Sequence, residues 1–298
     1  MKWRSYEFMT SADEALRRLM QESGQARIVA GGTDLLIQIR ETESYEGSLT
    51  LLDVSEVDEM KEIRESKEFL YIGAAVTMTE ISSSPLVKNK ARALAQGAQW
   101  LGSPQIRNVA TVGGNVVNAQ PAGDVSVPLV ALGTEAEVVS SEGRRYVPVE
   151  ALFLGVGESA VDPRQELISH FRVPVREPPN GASAMTRLAK RKAFTLPTLS
   201  VAVSAGIDGE RKCFRETRIV AAPVGPTPWR ARRAEETLQG SGITKENIAK
   251  AAALAREDAS PRDSLRGGAE YRKDMVGILT RRALMEALHH LNWESNDL

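Results

Sequence analysis

VAGGTDLLIQIR (29–40) sets two glycines between an apolar run and a segment with helical spacing. Val29 belongs to RIVA (27–30), which reads as a buried strand, and Leu35, Leu36 and Ile39 share one face of a helix. Gly31 and Gly32 turn the chain between them. Such a turn is an ordinary way to join strand to helix. It is also a place where backbone N–H groups can approach a ligand, because glycine has no side chain to hold it off. Thr33 is positioned to cap the helix, and a helix N-terminus attracts phosphate through its free amides and partial positive charge. On these residues alone the plain turn is the simpler reading.

The flanks supply the rest of a small α/β unit. SADEALRRLMQESG (11–24) opens with Ser11 and Glu14, a capping box, carries Leu16, Leu19 and Met20 on one face, and ends at Gly24. LTLLDV (49–54) reads as the next strand. Helix, strand, turn, helix and strand thus follow one another before residue 55. Beyond this unit, FLYIGAAV (69–76) predicts a strand, Thr77 with Glu80 a second capping box, and 86–99 a helix. EAEVVSSEGRRYVPV (135–149) carries a hairpin signal at Glu142-Gly143, and ELISHFRVP (166–174) reads as a strand closed by proline. REPPNG (176–181) has the composition of a linker. After it the pattern changes to three strands, SAMTRLA (183–189), LPTLSVAVSAGI (196–207) and CFRETRIVAAPVG (213–225). Helices follow near 228–239, 244–257 and 269–290. Strands first and helices later predict a separate α+β domain.

A second glycine stretch, PQIRNVATVGGNVVNAQPAGD (104–124), gathers Thr111, Gly113, Gly114, Asn115, Asn118, Gly123 and Asp124 in a short span. Its small and amide-bearing residues predict a long loop with little regular helix, either held by its own Asn side chains or wrapped around something polar. Neither glycine stretch is G-x-G-x-x-G or G-x-x-x-x-G-K-[ST], so the dinucleotide fingerprint and the P-loop are both absent.

Composition removes several classes. The chain has 298 residues, a formal net charge of -1, 42% hydrophobic and 26% charged residues, as expected for a globular protein of two or three domains. Lys and Arg are spread along it, which argues against a nucleic-acid protein. Cys213 is the single cysteine, so neither an internal disulfide nor a cluster of thiolate ligands can form. His170, His289 and His290 are too few and too badly placed for a zinc site. MKWRSYEFMT lacks the apolar core of a signal peptide and no apolar run reaches membrane-spanning length, so the expectation is a cytoplasmic protein without a membrane span.

The two glycine stretches together decide the matter. VAGGTDLLIQIR followed by PQIRNVATVGGNVVNAQPAGD resembles the FAD-binding medium subunit of molybdenum hydroxylases, the family of xanthine, carbon monoxide and nicotinate dehydrogenases. The resemblance covers nearly the whole chain: LAKRKAFTLPTLSVAV (188–203), GPTPWRARRAEETLQG (225–240) and RGGAEYRKDMVGILTRRAL (266–284) look like the family's C-terminal domain.

The resemblance implies an α+β fold in which two α/β subdomains, 1–57 and 58–177, form an FAD-binding region of the PCMH/VAO type. A C-terminal domain of antiparallel sheet and helix bundle, 178–298, follows. It implies FAD lying between the subdomains, with both glycine loops cradling its pyrophosphate. By position, Ile28, Val29, Ala30, Gly31, Gly32, Thr33, Asp34 and Leu35 would line the diphosphate, and Thr111, Val112, Gly113, Gly114 and Asn115 would face it. Asp124 would bond a polar group of the FAD, such as a ribose hydroxyl, and Leu101 and Ile168 match apolar contacts. Arg187 stands where relatives often carry a flavin-side lysine; the charge is kept but a planar fork replaces a point charge, and Lys190 is the alternative.

The resemblance further implies an oxidoreductase subunit that takes electrons from [2Fe–2S] clusters in a small subunit. Those clusters would be fed by a molybdenum cofactor in a molybdopterin-binding large subunit. The FAD would then pass electrons to an outside acceptor, and the complex would be a dimer of heterotrimers. Some relatives hold an extra iron–sulfur cluster in a cysteine-rich insertion; Cys213 alone cannot, so this chain is expected to carry flavin only.

No catalytic residue is named, since bound flavin supplies the chemistry. Asp53, Asp58 and Glu59 read as solvated loop charges, His170 as structural or at the surface, His289 and His290 as exposed. Trp100 reads as core, Trp229 as the anchor of a helix start, and the run RLAKRK (187–192) as a solvated face. Two alternatives stay open: a self-contained flavin oxidoreductase of the same superfamily, and a non-redox nucleotide-binding assembly protein.

Overall fold

In the computed structural model, which describes residues 3–41, 47–175, 180–191, 194–210 and 212–293, the chain builds three principal sheets in succession. Four residues of the linker expected at 176–181, Arg176 to Pro179, lie outside the described residues.

The first part contains β1 (Ser5–Phe8), α1 (Ala12–Gln21), β2 (Ala26–Val29), α2 (Leu35–Glu41) and β3 (Thr50–Asp53). Its sheet has the order β1-β3-β2 with every pairing parallel. The central strand β3 is buried along its whole length because helices cover both faces. Ala12, Ala15, Leu16 and Leu19 of α1 enter the large core on one side, while Ile39 of α2 closes a small cluster with Val29, Leu49 and Leu51 on the other. Strand β1 was missed in the sequence: SYEF alternates half-buried and exposed positions and looks too polar to be a strand. The first capping box is only half formed. Ser11 accepts from the Glu14 amide at 3.1 Å, but the Glu14 carboxylate turns to the backbone and hydroxyl of Thr10.

The second part contains β4 (Ile63–Glu65), β5 (Phe69–Gly73), α3 (Met78–Ser83), α4 (Pro85–Lys90), α5 (Arg92–Trp100), α6 (Pro104–Arg107), α7 (Val112–Val117), α8 (Ser126–Ala131), β6 (Glu135–Ser140), β7 (Gly143–Pro148), β8 (Phe153–Gly155), β9 (Glu158–Ser159) and β10 (Leu167–Pro174). Five of these strands form an antiparallel sheet in the order β4-β5-β10-β6-β7. The Thr77–Glu80 capping box is complete, and the hairpin expected around Glu142-Gly143 forms with Ser141 and Glu142 in its turn and Gly143 starting β7. The helix expected over 86–99 is interrupted at Ala91, between α4 and α5. The stretch 104–124 corrects the loop expectation more strongly, because it holds two short helices. Ser103 caps α6, whose first residue is Pro104, and Thr111 caps α7. Caps and an N1 proline start helices in a glycine-rich sequence that cannot extend them.

The third part contains β11 (Gly181–Leu188), β12 (Leu199–Asp208), β13 (Cys213–Ala222), β14 (Trp229–Arg230), α9 (Arg232–Leu238), α10 (Lys245–Asp258) and α11 (Ala269–His289). Its antiparallel sheet runs β11-β12-β13-β14, and α9, α10 and α11 close the core over one face. The opposite face joins the large core through Met185, Ala202, Val220 and Ala222. At the edge, the Met185 amide of β11 donates to Gln96 Oε1 at 2.8 Å, and Ser183 Oγ accepts from the Ala93 amide at 3.1 Å. Gln96 Nε2 also reaches Glu286 of α11 at 2.7 Å, so α5 fastens the third part to the second.

Candidate functional site

The chain leaves β2 at Val29 and enters α2 at Leu35, at the carboxyl end of a parallel sheet, where open α/β sheets place ligands. Gly32 takes φ +64°, a left-handed conformation that a side chain disfavours. Gly31 is needed for a different reason: a Cβ there would lie 2.0 Å from the carbonyl oxygen of Val109. The first glycine loop thus rests directly on the segment that leads into the second. Among the described residues, none of the backbone N–H groups from Gly31 to Leu35 has a hydrogen-bond partner, the first amide engaged being that of Leu36, on the Gly32 carbonyl at 3.0 Å. Thr33 does not cap the helix; its hydroxyl turns to the Asp34 carboxylate at 3.4 Å. A consecutive row of unpaired amides at a strand-to-helix turn suits an anion such as phosphate.

The second glycine loop is built otherwise. Thr111 forms an antiparallel bridge with Thr77. The amide of Val112 donates to Val76 O at 3.1 Å and that of Gly113 to Ala74 O at 2.9 Å. Gly114 donates to Thr111 Oγ1 at 3.2 Å and Asn115 to Thr111 O at 3.0 Å. These four amides are therefore engaged within the protein, so the two glycine loops differ in what their backbones offer. Gly113 is pressed against Ala74, but a Cβ on exposed Gly114 would meet only the Thr111 hydroxyl, so space opens in front of it. Asn115 Oδ1 accepts from Ser126 at 3.2 Å, and Gln38 of α2 reaches Asn118, just past α7, at 3.4 Å across the two parts. Val109 and Gln38 were not singled out in the sequence, and Asn118 was noted only as part of the second glycine stretch; the glycine at position 31 was the trace of this approach.

Asp124 lies beyond α7, 5% exposed, its backbone carbonyl held where a Cβ on Gly97 would be 2.2 Å away. Arg187 of β11 brings Nε to 3.3 Å from Asp124 Oδ1. The two atoms form an ion pair without the alignment of a hydrogen bond, and both are fully buried. Burial pushes the Asp124 carboxyl up to about 6, and Arg187 opposes that rise. Lys190 is exposed and donates instead to Leu265 O at 3.0 Å. The sequence left Arg187 and Lys190 as alternatives; in the structure only Arg187 meets another of the expected site residues.

The remaining expected residues divide by burial. Ile28, Ala30, Leu35 and Leu101 keep part of their surface, with Leu101 O accepting from Arg107 at 2.9 Å. Val29, Val112 and Ile168 are core residues, and Ile168 at 4% exposure has little surface to offer a ligand.

Several residues outside these loops are more ordered than the sequence suggested. Asp53 is buried, accepting from Tyr6 at 2.5 Å and from the Ser55 amide at 2.8 Å, which corrects its reading as a solvated charge. His170 lies between Tyr146, at 3.0 Å from Nε2, and Glu137, at 3.4 Å from Nδ1. Burial holds the imidazole below its usual titration range. Among the described residues no metal-ligand cluster occurs, and no helix is long and apolar enough to cross a membrane.

Two family models match the chain: the FAD binding domain in molybdopterin dehydrogenase over residues 3–176 and the CO dehydrogenase flavoprotein C-terminal domain over 184–287. The carbon monoxide dehydrogenase medium chain of Hydrogenophaga pseudoflava is 32% identical, covering 95% of this chain and 96% of that one. The xanthine dehydrogenase FAD-binding subunit of Escherichia coli O157:H7 is 29% identical, covering 91% of each. Among solved structures, a carbon monoxide dehydrogenase from Hydrogenophaga pseudoflava superimposes with a TM-score of 0.86 at 30% identity, covering 96% of this chain and 97% of its own.

Proposed function

The chain belongs to the FAD-binding medium subunits of molybdenum hydroxylases, and from that premise we propose that it relays electrons from iron–sulfur clusters of a partner subunit to an external acceptor. It is an oxidoreductase subunit with FAD as its cofactor. Bound FAD supplies the reversible uptake and release of one or two electrons. This chain's residues bind and orient that group.

The observation that carries the reading is the row of unpaired amides from Gly31 to Leu35, set against the open face of Gly114. A diphosphate fits there: the amides donate, the turn places them at a helix start, and the second loop leaves room. We assign the diphosphate amides to the first glycine loop, Gly31 to Leu35, with Ile28, Val29 and Ala30 supporting it from the strand end. Thr111, Val112 and Gly113 shape the facing wall, and Gly114 and Asn115 offer its accessible surface. Asp124 accepts a hydroxyl hydrogen bond, and Leu101 offers the apolar side, while buried Ile168 supports the site from the core. Exclusion of water from the buried Asp124 strengthens any hydrogen bond it accepts.

The division into 1–57, 58–177 and 178–298 is part of the same proposal and is supported by the three sheets. The proposal also includes a molybdopterin-binding large subunit, a [2Fe–2S] small subunit, a dimer of such heterotrimers and a cytoplasmic location.

The test is direct. The purified chain should be yellow, with one FAD per chain and an absorption band bleached by dithionite. A colourless chain that takes up no FAD would sink the assignment. Co-purification with molybdenum- and iron–sulfur-containing chains separates an electron-relay subunit from a self-contained flavin enzyme.

A further inference from the structure

Arg187 makes two contacts that point in opposite directions. Its Nε lies 3.3 Å from Asp124 Oδ1, in the loop that follows α7. Its Nη2 donates to the backbone carbonyl of Thr195, in the segment before β12. Two of the three guanidinium nitrogens thus face oxygens of the protein, one at each of these segments. The segment it holds is strained: Phe194 has φ +58°, rare for a bulky residue, and its ring is 63% exposed. The Phe194 carbonyl is held in turn by Arg191 Nη2. Gly97 of α5 packs against the Asp124 backbone carbonyl, which a Cβ there would approach to 2.2 Å. Arg187 is the charged group that acts on the carboxyl.

We propose that Arg187 is a positioning residue. It holds Asp124 in the orientation that accepts a hydroxyl of FAD, and through Thr195 it ties the Phe194–Leu196 turn of the third part to that carboxylate. The inference rests on the assignment of Asp124 to FAD. It gives the arginine a different role from a flavin-side cation, because the contact with the cofactor is made by Asp124. A lysine would keep the charge but not the fork that reaches both partners.

The experiment is a double-mutant cycle on the full chain, reading FAD affinity by titration for wild type, Arg187→Met, Arg187→Lys, Asp124→Asn and the double variant Asp124→Asn/Arg187→Met. Each single replacement should weaken FAD binding by roughly tenfold or more, the scale of one hydrogen bond to a charged group. The double variant should bind no worse than Asp124→Asn alone. Amide exchange at Thr198, whose N–H donates to Leu188 O at 2.8 Å just after the tied segment, should speed up in Arg187→Met, while central β12 amides stay protected as a check on folding. In Arg187→Met the pH at which FAD affinity changes should also move upward, since nothing then opposes burial of the Asp124 carboxyl. Arg187→Lys keeps the cycle readable if the methionine variant does not fold. Losses that multiply in the double variant would show that Arg187 acts on the ligand independently and would overturn the proposal. So would unchanged affinity in both Arg187 variants. A wild-type chain that takes up no FAD would overturn the function itself, and with it the role given to Asp124.

Discussion

Gly31 and Val109 touch backbone to backbone: a Cβ on the glycine would lie 2.0 Å from the valine's carbonyl oxygen, and 2.9 Å from Ala110 Cα. The first glycine loop and the approach to the second form one contact, so changing either moves both.

Gly31→Ala is therefore expected to push the two parts apart. Overpacking against backbone that cannot rotate away costs about 1–3 kcal/mol. FAD affinity should fall along with the melting temperature. Titration and thermal unfolding measured side by side check this; full FAD affinity in Gly31→Ala would mean that the contact is incidental to binding.

Gly32 tests backbone conformation instead of space. Its φ of +64° is open to asparagine at small cost and closed to β-branched residues. Gly32→Val should abolish FAD binding while the third part stays folded, and Gly32→Asn should keep most of it. Flavin content per chain after purification distinguishes the two. Equal flavin content in both variants and wild type would reduce the loop to a turn.

Asp124 gives the chain a pH signature. Its carboxyl titrates near 6 in the folded chain against an ordinary value of 3.8, so the folded state binds that proton more tightly than the unfolded state. The resulting stability is present below the ordinary value and is lost as pH rises through about 6. A shift of this size corresponds to about 3 kcal/mol. In the FAD-free chain, the stability gap between wild type and Asp124→Asn should move in favour of Asn from pH 4 to pH 7 and then level off. Denaturant melts across that range read it directly; a gap independent of pH would show that the carboxyl does not titrate there.

Thr77 provides a control outside the loops. Its hydroxyl accepts from the Glu80 amide at 3.3 Å, and Glu80 Oε2 accepts from the Thr77 amide at 2.8 Å. Thr77→Ala should lose about 1 kcal/mol of stability, and Thr77→Ser should restore most of it. FAD affinity should change less than in Gly31→Ala, because the backbone bridge to Thr111 does not need the side chain. Chemical denaturation of the three proteins measures the order.

The sequence revealed what short-range chemistry writes down. Gly32 at its turn, the box at Thr77 and Glu80, and the hairpin before Gly143 each act within a few residues and could be read directly, whereas Gly31 and Gly113 were visible as glycines but not the contacts with Val109 and Ala74 that require them. It hid what depends on distant packing. Strand β1 is stabilised by its parallel partner β3, so its own residues carry little signal. Asp53 looks like a loop charge until Tyr6 closes over it. The helical turns at 104–107 and 112–117 are set by caps in a sequence whose composition suggests coil. The meeting of Arg187 with Asp124 depends on β11 docking beside α5, a relation between segments far apart along the chain.

That docking through Gln96 has a consequence for how such a chain can be inherited. β11 is an edge strand, and an edge strand with unpaired amides is a template for aggregation. Here its Met185 amide is taken by Gln96 and its Ser183 hydroxyl by the Ala93 amide, both from the second part. A recombination event that separated the segment 184–287 from the one before it would bare that edge to any passing strand. The second part thus also serves as the cover that keeps the third part's edge from pairing with other strands.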